Sequence, residues 1–188
     1  AFLGSSPDTS FAPHQGALWG TTALLEKHEP YTFRPAKSAK PPCMETATQS
    51  HDGVAGIKAA VEYLARIGES MAGATSGRPA LRAAMEMLFA YEKSLAAQLI
   101  EGLMSIEGVT VQGITAPDAF DRRVPTVAFT HDRIDPAHIA ESLAKENIFV
   151  WKGHNYAVEV AKALNIYDTG GAVRIGPVHY NSAQEIDE

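Results

Sequence analysis

Apolar residues recur at spacings of three and four from Val54 to Ile67, taking in Val54, Ile57, Val61, Leu64 and Ile67. That period predicts an amphipathic helix, with Gly68 as its stop. A second helix is predicted to open near Pro79, a favourable early helical position. Its stripe is Leu81, Met85, Leu88, Leu95, Leu99, Leu103 and Ile106, and Gly108 ends it. At about 28 residues it would run for about 40 Å, long enough to bridge two domains. Its Met and aromatic residues read as core packing.

From Val109 the pattern is mixed. Val109–Gln112, Val124–Thr130 and Ile148–Trp151 read as short strands, with Pro125 best placed at a strand start or edge. Asp135-Pro136 is an N-cap followed by proline at the first helical position, and Ile139 and Leu143 face inward. Asn155–Leu164 is predicted helical, with Tyr156, Val160 and Leu164 aligned. Ala172–Gly176 alternates as a strand, putting Val173 and Ile175 on one face and Arg174 on the other. Ser182-Ala183-Gln184-Glu185 has the form of a capping box. The plainer reading of Arg174 is a solvated side chain on an edge strand. The other is a planar fork offered to a carboxylate or phosphate.

Residues 1–50 are poor in periodic structure. Ala17–Gly20 reads as a short strand with no partner in view, and Thr22–His28 as a short helix. Pro30, Pro35, Pro41 and Pro42 then break the chain repeatedly. A lone strand needs neighbours for its backbone groups. This segment is therefore expected to be the end of a domain whose beginning is absent, and the short run after Ser182 makes the C-terminus look brief as well.

The 188 residues carry a net charge of −6, which argues against a general nucleic-acid or anionic-membrane surface. No apolar run approaches the ~20 residues of a membrane span. Cys43 is the one cysteine, so no internal disulfide is possible and a reducing, cytoplasmic setting is expected. No zinc-type Cys/His spacing, P-loop or G-x-G-x-x-G appears, so no metal site is expected.

Several stretches carry a resemblance. Phe11-Ala12-Pro13-His14-Gln15-Gly16-Ala17-Leu18-Trp19-Gly20 resembles the F-G-P-H-x-G-x-L-Y-G run that follows the cofactor lysine in class V aminotransferases. Glu45-Thr46-Ala47-Thr48 is similar to their E-x-G-T element, and Arg123–Phe129 to a strand of their small domain. Lys152-Gly153-His154-Asn155-Tyr156-Ala157 and the Arg174 stretch through His179-Tyr180-Asn181 follow in the same order. The closest likeness is to the cysteine desulfurase-like members, and it covers the second half of such an enzyme. The resemblance implies an α/β architecture: the small domain of the aspartate-aminotransferase (type I) fold plus the tail of the large domain. Residues 1–50 would be that tail, and residues 51–188 the helical bridge and small domain. It also implies pyridoxal phosphate as the parent family's cofactor. Arg174 would grip a substrate carboxylate, and Thr48 would donate its hydroxyl to the cofactor phosphate of the neighbouring subunit. His14 would lie beside the cofactor-lysine position.

The departures matter as much. In the family a lysine stands five residues before the histidine of this element and forms the Schiff base. Here that position is Thr9, and a hydroxyl cannot form an imine. The nucleophilic cysteine of true desulfurases is replaced by Tyr156, so persulfide chemistry is not expected. Cys43 reads as inert packing, and Lys37, Lys40 and Lys58 as solvated side chains. The expectation is half of a pyridoxal-phosphate enzyme acting on a small amino or keto acid, not holding the cofactor covalently and inactive as this chain alone. It would work as a homodimer or with a chain carrying the missing half. The alternatives are a non-catalytic dimerisation or carboxylate-binding domain, or half of a split enzyme.

Overall fold

Ala17–Gly20, without a visible partner in the sequence, has one in the structure. In the computed structural model, which describes the backbone of residues 2–5 and all of residues 13–35, 38–45 and 48–188, Phe2–Ser5 (β1) pairs antiparallel with Ala17–Gly20 (β2), Leu3 opposite Trp19. The expectation of an unpaired strand is corrected: the partner lies before it in the chain, in a run without the alternation that would have marked it. Thr22–Lys27 (α1) and a 3-10 turn at Pro42–Met44 follow, the latter burying Cys43. Lys40 is not simply solvated. Its ammonium donates to the Glu26 carbonyl and the Glu29 carboxylate, tying the turn to the end of α1.

The three-and-four period forms His51–Ala72 (α2), which runs straight through Gly68. The expected stop at Gly68 is wrong for a reason remote in sequence. Gly68 is where α2 meets Ala80, at the start of the 28-residue helix Arg78–Ser105 (α3), and only a residue without Cβ allows that approach. The actual stop is Gly73, at φ +62°, with its amide on the Gly68 carbonyl. On α3 the expected stripe is half right. Leu95, Leu99 and Leu103 are buried, but Met85 and Ile106 are exposed, while Ala80, Ala84, Ala96 and Ile100 fill the inner positions.

The residues sort into two units, Ala1–Met85 and Glu86–Glu188, dividing within α3. The second is built on a four-stranded sheet of Val109–Gln112 (β3), Val127–His131 (β4), Trp151–Gly153 (β5) and Ala172–Ile175 (β6). The spatial order is β3-β4-β6-β5 and every pair is antiparallel. One face carries Val127, Phe129 and Val173, which pack with Leu99, Ile100 and Leu103 of α3 and with Phe120. Helix Pro136–Lys145 (α4) adds Ile139 to that core and is capped as the sequence predicts, the Asp135 carboxylate accepting from the Ala137 amide at 2.7 Å. Ala183–Asp187 (α6) opens on a full capping box between Ser182 and Glu185. The loop before it is tied to α3 by Tyr91 Oη donating to Asn181 O and the His179 amide donating to Glu92.

Three sequence boundaries move. The strand expected over Val124–Thr130 begins at Val127. A 3-10 turn at Pro117–Arg122 precedes it, and the Arg123 guanidinium gathers the Ile114, Val124 and Thr126 carbonyls. The strand expected over Ile148–Trp151 is Trp151–Gly153. The helix expected over Asn155–Leu164 is only Val158–Ala163 (α5), because Asn155 and Tyr156 adopt φ of +50° and +62°, outside the right-handed helix. Among the described residues no helix is long and apolar enough to cross a membrane.

Candidate functional site

Arg174 lies on β6, an inner strand with β4 on one side and β5 on the other, which corrects the edge-strand reading. Its cross-strand partners are Ala128 and Trp151, and Ala128 in turn faces Gln112 on β3. Directly opposed residues of antiparallel strands project from the same face. Gln112, Ala128, Arg174 and Trp151 therefore form one row across the sheet, on the face away from the Val173–Phe129 core. Ala128 is small, so it leaves the guanidinium room on the β4 side. It sits in a hollow of about 230 Å³ walled by Gln112, His154, Asn155 and the apolar residues of α5. Arg174 is half-buried, and among the described residues it makes no hydrogen bond or ion pair. A partly desolvated guanidinium that lacks a protein acceptor is poised for an anion, and its fork geometry suits a carboxylate.

The rim of the hollow is a strained loop. Gly153 and the two residues Asn155 and Tyr156 all have positive φ. His154 holds the turn together: its Nδ1 accepts from the Tyr156 amide at 3.1 Å and its carbonyl from the Ala157 amide at 2.8 Å. Its ring stacks on Tyr167. Asn155 Nδ2 donates back to the Gly153 carbonyl. Such backbone persists where the surroundings over-determine it. Tyr156, held in this turn, is 99% exposed.

The other sequence-derived candidates belong to the first unit. Thr48 is exposed on a bend, and His14 is exposed shortly before β2, next to Pro13 and Gln15, which fit against Gly56 and Gly53 of α2. Thr9, Lys37 and Ala47 lie outside the described residues. The first unit has a larger hollow, about 660 Å³, lined by Leu18, Leu24, Leu25, His28, Met44 and Glu45. It is mostly apolar and among the described residues holds no unpartnered cation, so the Arg174 hollow is the better candidate. Sequence reasoning missed Gln112, Asn155 and Trp151. The alternation of β5 and β6 was a usable signal, but their register was not.

The family model described as aminotransferase class-V matches residues 16–188, and the chain belongs to that family. It is 30% identical over 159 residues to the uncharacterized protein MT3887 of Mycobacterium tuberculosis, covering 85% of this chain and 36% of that protein. It is 28% identical over 159 residues to probable cysteine desulfurase 2 of Mycobacterium leprae, covering 85% of this chain and 32% of that one. Among solved structures, apo cysteine desulfurase from Thermococcus onnurineus NA1 superposes with a TM-score of 0.78 at 23% identity, over 99% of this chain and 44% of that chain. The cysteine desulfurase CsdA of Escherichia coli gives 0.73 at 20% identity, over 99% and 43%. The fold is thus a segment of the type I fold, and the chain spans about a third of the length of the two protein relatives.

The family is pyridoxal-phosphate dependent. An exposed hydroxyl at Thr48 suits a phosphate oxygen. The residue that the resemblance sets at the imine position is Thr9, whose hydroxyl offers oxygen where an imine needs an amine; it lies outside the described residues.

Proposed function

We propose that this chain carries the substrate-carboxylate grip of a pyridoxal-phosphate enzyme of the class V, cysteine desulfurase-like kind, acting on a small amino or keto acid, and that this chain alone does not turn substrate over. The observation that carries the reading is Arg174: half-buried, on an inner strand, in a hollow, without a protein acceptor among the described residues. Two parallel N–H donors would take both carboxylate oxygens, fixing the orientation of the acid as well as its position. The α5 side of the hollow would shield the pair from water, which strengthens a charge-assisted bond. Tyr156 in place of a thiol, and Cys43 buried in the other unit, both weigh against persulfide transfer. The replacement of the lysine by Thr9 favours a second reading, a carboxylate-binding domain that has left catalysis behind.

Calorimetric titration with small amino and keto acids tests the grip. Binding should weaken by ~2–4 kcal/mol in Arg174→Ala. Unchanged binding in that variant removes Arg174 from the site. Incubation with pyridoxal phosphate and borohydride should trap no single lysine stoichiometrically. Full trapping at one lysine, with transamination or lyase turnover, would overturn the claim of inactivity.

A further inference from the structure

Trp151 is directly opposite Arg174 on β5, shares its face of the sheet, and is 70% exposed. Here the register places it beside the one half-buried guanidinium of the sheet. The pair presents a planar apolar surface and a carboxylate fork a single strand spacing apart, about 5 Å. The opposite side of Arg174 is closed differently: Ala128 is small and Gln112 turns its amide to Thr130 at 3.3 Å. Trp151 is not among the residues lining the hollow itself; the register sets it at the β5 edge, one strand spacing from Arg174, with no comparable surface on the β4 side.

We propose that Trp151 is a specificity-determining residue, and that the acids this site prefers carry an aromatic or similarly planar apolar group within two or three bonds of the carboxylate. This rests on the reading of Arg174 as the carboxylate grip. Arg174 fixes one end of the acid, and the indole shields its ring from water by offset stacking. The small thiol-bearing side chain of a desulfurase substrate would leave most of the indole uncovered. Covering about half of one phenyl ring is worth about tenfold in affinity.

The chain has two tryptophans. In a Trp19→Phe background, Trp151 alone reports. The probes are 3-phenylpropionate and propionate, which share the carboxylate and differ by the ring. The expected result is saturable change of Trp151 emission with 3-phenylpropionate, and calorimetric affinity about tenfold above propionate. Trp151→Ala should erase that preference, and Arg174→Ala should weaken both acids. Equal affinities, or a preference that survives Trp151→Ala, overturn the proposal while leaving the Arg174 grip standing. Loss of the grip alone would show as unchanged propionate binding in Arg174→Ala. No saturable binding of either acid overturns both. Emission that shifts with protein concentration and not with acid would assign Trp151 to contact between copies and likewise overturn it. Far-UV circular dichroism of each variant checks that the fold is kept.

Discussion

Gly68→Ala should destabilise the protein, although alanine is the better helix former. In an open helix interior the change gains about 0.5–1 kcal/mol, because glycine loses more backbone entropy on folding. At Gly68 the added methyl would lie 2.7 Å from the Ala80 carbonyl carbon and 3.0 Å from its Cα, and nearer still to its oxygen. Ordinary contact needs about 3.5 Å. Main chain cannot rotate away, so α2 and the start of α3 must part by roughly 1 Å. Ala80 and Ala84, both at 0% exposure, would lose their close contacts. Overpacking of this kind costs about 1–3 kcal/mol, and here nothing flexible absorbs it, so the upper end applies. The net expectation is a loss of about 1–2 kcal/mol. Gly102→Ala supplies the internal standard: it sits in α3 with nothing within 4 Å of the added Cβ, and should gain about 0.5–1 kcal/mol. Urea denaturation followed by helical circular dichroism would give both values. If Gly68→Ala proves as stable as Gly102→Ala, the close approach is not there and the account of α2 fails.

Arg123→Lys should cost about 1–2 kcal/mol in the same assay, since one ammonium cannot reach the Ile114, Val124 and Thr126 carbonyls that the guanidinium gathers. No loss would mean those bonds are optional. Hydrogen bonds from the Ser182 backbone and hydroxyl hold the Glu185 carboxyl below the ordinary glutamate range. A depressed carboxylate contributes stability above its unfolded value and loses it as pH falls through the folded one. The Ser182 amide resonance should therefore titrate below the usual glutamate range and lose that titration in Glu185→Gln. A midpoint at or above that range would contradict the capping box.

What could be read from the sequence was what local chemistry decides. The helix through Val54–Ile67 follows from its period, and the caps at Asp135 and Ser182 from their side chains. The alternation of Val173, Arg174 and Ile175 follows from the two-residue repeat of a strand. What could not be read depends on distant partners. Gly68 looks like a terminator because glycine usually is one, but its role is set by Ala80 in another helix. Tyr156, Val160 and Leu164 have helical spacing, yet Tyr156 is held left-handed by His154 and the tight Gly153 turn. Whether Arg174 lies on an edge or an inner strand depends on β5 folding back to pair beyond it. That same pairing brings Trp151 opposite the guanidinium, a neighbour 23 residues away in number that no motif announces.

That register rests on one glycine. Gly171 has φ +83°, and a Cβ there would lie 2.7 Å from the Gly153 Cα and closer to its carbonyl group. Gly153 pairs with Ala172, so the overlap falls at the last rung of the β5–β6 ladder. Gly170, one residue earlier, has φ +89°, but a Cβ there would meet only the Asp135 and Pro136 side chains, at 3.2 Å and beyond. Gly170→Ala and Gly171→Ala therefore share the left-handed penalty of about 1–2 kcal/mol. Only Gly171→Ala adds the backbone overlap, worth about 1–3 kcal/mol more. The chain can relieve that overlap by moving β5 away from β6, which carries Trp151 away from Arg174. Gly171→Ala should then be the less stable of the two by denaturation. It should also weaken carboxylate binding in calorimetry, although position 171 is not part of the Arg174 row, while Gly170→Ala should bind like the unmodified chain. Equal stability and equal binding in the two variants would show that β5 is not seated through Gly171. The physical basis for placing Trp151 beside the guanidinium would go with it.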